Sequence, residues 1–302
     1  MSVVPICMVI DDRYVPFAAT TLLSICNHTK AEIDCYILAH NVLSERKEVF
    51  DRSFQAVHNL HKIAWIDVND DLLSDFKAGR HISLVTYARI FIPELVLEEK
   101  IIFTDVDVLV QGDIEELYEE ELGEYLLAAV PEDDAVDGHV EDKARLGIPE
   151  EAFYFNAGLL LMNSLKWRNE GWTKKLLNDA KKHKDKLKCY DQDLLNKNLY
   201  FSCRPLSKKW SWLRQRARSD DDNKTYLDSP GIRHFNGRTK PWLCFPWKRE
   251  GGERLGTREF WFVAQRTAFF DEICSFRASK GKLIRLLGRN FTRKFITLLL
   301  KL

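Results

Sequence analysis

Apolar residues fall along this chain in short runs separated by polar clusters. Residues 3–10 are uninterruptedly apolar and are closed by Asp11 and Asp12, the pattern of a buried strand with a polar C-terminal end. Residues 16–27 carry helical periodicity, 35–39 are a second short apolar run, Ser44 is placed to cap a helix to about Leu60, and 62–68 read as a third strand. Further on, the spacing predicts a helix at 86–92 before Pro93, a strand at 101–103, apolar runs at 125–130 and 157–162, and a lysine-rich helix at 172–188. Residues 214–229 read as a polar loop, and 232–247 as short aromatic segments punctuated by Gly and Pro. Strands alternating with helices at this pitch predict an α/β fold with a mainly parallel sheet. No G-x-G-x-x-G is present, so the dinucleotide-binding fingerprint is absent.

At 302 residues and 45% hydrophobic, the chain is long and apolar enough to bury a core, which excludes whole-chain disorder. No apolar run reaches the ~18–20 residues of a membrane span, and the N-terminal segment, without a basic flank, reads as a strand and not a signal peptide. The formal net charge is zero but unevenly spread. Eight of the 45 basic residues lie between Phe276 and Leu302, with no acidic one, leaving 37 basic against 45 acidic residues before them. Leu283, Leu287, Phe291, Phe295, Leu298 and Leu302 recur every three or four positions beside Arg285, Arg289 and Arg293, the pattern of a basic amphipathic helix suited to an anionic membrane surface and not to nucleic acid. A helix docked on the acidic body is the alternative. The seven cysteines are scattered without a C-x-x-C, which argues against a disulfide scaffold or zinc ribbon.

Asp105 and Asp107 directly follow the apolar 101–103 segment. In extended backbone, residues i and i+2 project to one side, so the pair can share a hard divalent cation. Two further D-x-D matches exist, 191/193 and 220/222, and neither follows a strongly apolar strand. Around His234, the run HFNGRTKPW offers an imidazole, Gly237 for close backbone approach to phosphate, and Lys240 as a point charge. Phe155-Asn156-Ala157-Gly158 opens a strand with small residues, which permits close ligand approach or a tight turn. Asp191-Gln192-Asp193 reads as a helix start with a carboxylate near the N-cap. Arg89, eight residues after His81, is suited to phosphate or sugar hydroxyls, or to a surface ion pair.

Taken together, VIDDRY (9–14), HISLVTYARI (81–90), FTDVDVLVQGDI (103–114), FNAGLLLMN (155–163), DQDLLN (191–196) and HFNGRTKPW (234–242) resemble glycosyltransferase family 8, especially the bacterial lipopolysaccharide galactosyl- and glucosyltransferases. The resemblance implies a GT-A fold: a Rossmann-like catalytic domain over residues 1–250, with 251–302 left as a C-terminal helical region ending in the basic tail. It also implies retaining transfer of galactose or glucose from a UDP-sugar to a glycan or glycolipid acceptor such as lipopolysaccharide core. By residue-to-residue match, Asp105, Asp107 and His234 would bind Mn²⁺, with Mg²⁺ the alternative. Asp11 and Tyr14 would hold uracil, and Gly237 and Lys240 the diphosphate. Arg89, Asn156, Asp191 and Gln192 would line the sugar, with His81 near sugar and phosphates. Gln192, an amide, matches the family's position beneath the sugar, which favours front-face attack over Asp193 as nucleophile. Arg13 departs from the galactosyltransferase pattern and bears on the ribose contacts. The expected location is the cytoplasmic face of the membrane. A nucleotidyltransferase and a silent UDP-sugar-binding pseudoenzyme are the alternatives.

Overall fold

The computed structural model describes residues 2–73, 76, 84–132, 139–213, 230–237, 240–243, 256–280 and 297. Strands β1 (Val3–Asp11), β2 (Glu32–His40), β3 (Leu60–Asp67), β4 (Lys100–Thr104), β6 (Leu127–Pro131), β7 (Phe155–Asn163) and β8 (Cys203–Pro205) form a seven-stranded sheet in the order β3-β2-β1-β4-β7-β6-β8. Only β7 opposes the rest, so the sheet is mixed and mainly parallel, as expected. β5 (Val108–Val110), β9 (Trp212–Leu213) and β10 (Ile232–His234) form a small second sheet, order β5-β10-β9.

Period-two alternation explains why β1 lies at the centre. Val4, Ile6, Met8 and Ile10 face one core, and Cys7 faces the other. The first core is closed by α1 (Val15–His28), nearly all of it buried, and by α2 (Ser44–Arg52). The second is closed by α3 (Val140–Leu146), α4 (Trp172–His183) and α5 (Tyr190–Leu199). Each apolar side chain buried here contributes roughly 1.5–3 kcal/mol. Two late helices, α6 (Thr257–Ala264) and α7 (Phe270–Lys280), bury Phe260, Trp261 and Ile273 in the α1 core, with Phe17 stacked on Trp242 at 3.7 Å.

Three expected elements differ in extent or type. α2 ends at Arg52 and not near Leu60, because Ser53 and Val57 donate three residues back in tight turns. Residues 84–91 are a 3-10 helix, and Pro93 sits in the first turn of a short helix (Ile92–Leu95), where its missing N–H costs nothing. The lysine-rich helix stops at His183 and passes into a 3-10 turn. The six described cysteines are free, and no described helix is long and apolar enough to cross a membrane. Cys244, the 214–229 loop and, apart from Thr297, the tail from 281 onward lie outside the described residues.

Candidate active site

A parallel sheet leaves a crevice where neighbouring strands send their chains to opposite sides, and here that point lies between β1 and β4. Asp11 ends β1, and Asp105 follows β4. Because β7 runs antiparallel, its first residues reach the same edge: Leu159 pairs with Thr104, and Asp105 N–H donates to the Gly158 carbonyl at 2.8 Å. The chain then enters β5, against which β10 returns antiparallel with His234 opposite Val108. Phe235 N–H donates to Asp107 O at 2.9 Å, fixing His234 beside both carboxylates.

His234 Nε2 lies 3.2 Å from Asp107 Oδ1 and 3.9 Å from Asp105 Oδ2. All three residues offer a ligand atom within 4.8 Å of one another, the only such group among the described residues. Gly158 makes room for it: a Cβ there would lie 2.7 Å from Asp105 Oδ2, closer still to His234, and 3.0 Å from Asn156 Oδ1. Two carboxylates and an imidazole suit a hard or borderline divalent ion such as Mn²⁺ or Mg²⁺. Lys240 Nζ pairs with Asp107 Oδ2 and donates to the Phe235 carbonyl at 2.9 Å. Burial favours the neutral acid at Asp107, but Lys240 and His234 outweigh it and hold its carboxyl far below the ordinary range. Asp107 therefore keeps its charge at neutral pH and loses it only deep in acid. Gly237 turns the chain between His234 and Lys240 at φ +79°, a conformation that favours glycine.

Arg89, 5% exposed, links this cluster to α5. Its Nη2 lies 3.0 Å from Asp105 Oδ1 and its Nε 3.0 Å from Asp191 Oδ2, while its plane covers the Phe103 ring at 4.5 Å. Burial pushes the Asp191 carboxyl up, opposed by Arg89. Gln192 Oε1 accepts from Ala157 N–H at 3.0 Å, and Asn156 Oδ1 from Gly158 N–H at 2.9 Å. Asp11 receives the Arg13 backbone N–H at 3.0 Å and its guanidinium at 2.8 Å. Tyr14 is 37% exposed beside it, close enough for Lys240 and Asp107 to act on its phenol electrostatically.

The structure thus gathers Asp105, Asp107, His234, Lys240, Arg89, Asp191, Gln192 and Asn156 around Gly158, with Asp11 and Tyr14 at one end. Asp193 is held apart. It is fully buried, accepting from the Tyr154 hydroxyl at 2.7 Å, Arg145 at 3.0 Å and the Cys189 N–H at 2.8 Å, the last closing the first turn of α5. His81 lies outside the described residues. Gly158 stood in the sequence only as one small residue among others. Glu132, which accepts from Asn156 Nδ2 at 2.6 Å, opens an acidic run in the sequence, the rest of which (133–137) lies outside the described residues.

Known proteins resemble this chain in sequence and fold. The model of glycosyl transferase family 8 matches residues 5–244. Glycosyltransferase GlyF of Streptococcus pneumoniae is 27% identical over 263 residues, 84% of this chain and 59% of that protein, so the chain spans little more than half of that relative. Lipopolysaccharide 1,2-glucosyltransferase of Escherichia coli is 25% identical over 252 residues, 77% of this chain and 71% of that protein. Among solved structures, the galactosyltransferase LgtC in complex with donor and acceptor sugar analogs superposes with a TM-score of 0.74 at 25% identity, covering 87% of this chain and 96% of that one. The mixed sheet is accordingly that of the GT-A fold. With the family model spanning most of the chain and the sheet matching in kind, this chain belongs to glycosyltransferase family 8.

Proposed function

We propose that the chain is a retaining hexosyltransferase that moves galactose or glucose from a UDP-sugar to a surface-glycan acceptor such as lipopolysaccharide core. The observation that carries this is the Asp105–Asp107–His234 cluster with Lys240 against it, at the switch point of the sheet. Those three side chains would hold Mn²⁺, or Mg²⁺. Bound there, the ion would supply charge to stabilise the departing diphosphate. Lys240 adds a fixed cation at the same place, and the Gly237 turn lets the backbone approach phosphate. Asp11 and Tyr14 hold uracil, while Arg89, Asn156, Asp191 and Gln192 line the sugar, with His81 assigned there by the sequence resemblance alone.

Retention through a covalent intermediate would need a free carboxylate beneath the sugar. Gln192 is an amide already engaged by Ala157 N–H, and the oxygens of Asp193 are taken by Tyr154, Arg145 and Cys189. Front-face attack, with the leaving phosphate taking the acceptor proton, fits these residues better. The catalytic unit is assigned to residues 1–250. The basic segment within 251–302 is assigned to an anionic membrane surface on the cytoplasmic side, where a lipid-linked acceptor would be met.

UDP release from a panel of UDP-sugars, with and without Mn²⁺, tests this. Slow hydrolysis of one hexose donor is expected, dependent on metal and reduced at least ~100-fold in Asp107→Ala. Release that ignores both metal and mutation would sink the proposal.

A further inference from the structure

A second cluster of ionisable groups lies behind Asn156, on the side away from the metal-ligand trio. His139 precedes α3, is buried, and stacks on Tyr154 with ring centroids 4.2 Å apart. Its Nε2 pairs with Glu132 Oε2, and its Nδ1 lies 3.1 Å from Asp142 Oδ2. Glu132 is buried too, and its other oxygen accepts from Asn156 Nδ2 at 2.6 Å. Asn156 Oδ1 accepts from Gly158 N–H at 2.9 Å. A continuous line of polar contacts therefore runs from His139 to the glycine that faces Asp105 and His234.

Proton counting determines what this line requires. A neutral imidazole has one N–H, but here each ring nitrogen faces a carboxylate. Only the imidazolium donates to both. Without it, one of the two contacts is lost: Asp142, half-buried and still paired with Arg145, tolerates this, whereas the buried Glu132 Oε2 would be left without its donor. Glu132 in turn determines which end of the Asn156 amide points to Gly158.

We propose that His139, as an imidazolium, is a positioning residue for the donor sugar, fixing Glu132 so that Glu132 orients the Asn156 amide in the site. This inference rests on the assignment of Asn156 to the sugar in the preceding section. Among the described residues, the charged or titratable groups around His139 are Glu132 at the end of β6, Asp142, Lys143 and Arg145 on α3, Tyr154 before β7, and Cys189 and Asp193 at the start of α5. Burial disfavours the imidazolium, but Glu132 and Asp142 prevail and raise its pKa from 6.5 to about 8. The clamp is therefore complete below about pH 6.5 and lost as pH rises through about 8.

Calorimetry on the full chain with Mn²⁺ tests this, comparing UDP, UDP-galactose and UDP-glucose from about pH 6.5 to about pH 8.5. The affinity for the preferred UDP-sugar should fall about threefold over that range, since His139 has lost only part of its proton by about pH 8.5, while UDP, which has no sugar for Asn156 to meet, changes less than about 1.5-fold. His139→Gln should bind that sugar nucleotide about tenfold more weakly at the acid end and lose the pH dependence, with UDP unchanged. Binding of UDP certifies that the variant is folded. Asp142→Asn, which leaves His139 in place, should move the loss of affinity to lower pH, and it decides the matter with the wild-type series if His139→Gln does not fold. Equal UDP-sugar affinity for wild type and His139→Gln across the range overturns the proposal. So does a pH trend shared by UDP and UDP-sugar, which would originate at the diphosphate. Failure of the wild type to bind any UDP-sugar overturns the donor assignment itself, and this inference falls with it.

Discussion

At Gly158 the backbone approaches three side chains of the candidate site at once, and the missing Cβ is what lets them converge. Gly158→Ala pushes a methyl group against Asp105, His234 and Asn156, the first two of which are held by Arg89 and by β10 and cannot yield freely. Overpacking of this kind costs roughly 1–3 kcal/mol. The expected outcome is a modest fall in melting temperature and a disproportionate loss of metal-dependent UDP release, at least ~100-fold. An alanine variant with full turnover would mean that the cluster does not work as a unit. The same contrast between local cost and functional cost applies to Lys240, whose charge both steadies Asp107 and faces the proposed diphosphate.

The helix α5 carries two aspartates of opposite character. Asp191 reaches the site through Arg89, whereas Asp193 ties α5 to α3 and to Tyr154. Asp193→Ala leaves the buried Tyr154 hydroxyl without its acceptor and takes one of two carboxylate partners from Arg145, and should destabilise the protein by about 2–4 kcal/mol in a thermal or urea melt. Asp191→Asn should keep most of the stability and lose activity. If the two variants fall together in both assays, the division of labour is wrong. The spacing Asp-Gln-Asp was legible in the sequence, but the division was not, because the partners Arg145 and Tyr154 lie 48 and 39 residues away. The strands were legible for the opposite reason: their apolar runs are local and continuous, as in β1 and β7. α2 was read too long because Phe54 and Val57 keep helical spacing while the backbone forms separate tight turns. His139 left no signal at all, since a single histidine acquires meaning only from Glu132 and Asp142 around it.

For the molecule as a whole, the charge asymmetry gives a direct test. Removing residues 281–302 deletes six of the eight terminal basic residues and leaves the helices that complete the α1 core. UDP release in solution should be unchanged within about twofold, while binding to vesicles rich in anionic lipid should fall by at least an order of magnitude, at about 1 kcal/mol per basic residue near the surface. Unchanged vesicle binding would assign the tail to the protein's own acidic body. The small second sheet has a different consequence, concerning the order in which the chain is made. By Pro205 the ribosome has delivered every strand of the seven-stranded sheet and both aspartates, but His234 and Lys240 are still to come. Synthesis runs from the N-terminus, so this group is completed only after the large sheet, and the two helices that close the α1 core follow it. A stalled or clipped product of that length can collapse around the large sheet, yet it lacks the histidine and lysine of the proposed donor site. On the proposed function, such a fragment would draw nothing from the cell's activated-sugar supply until the chain has been extended past Lys240.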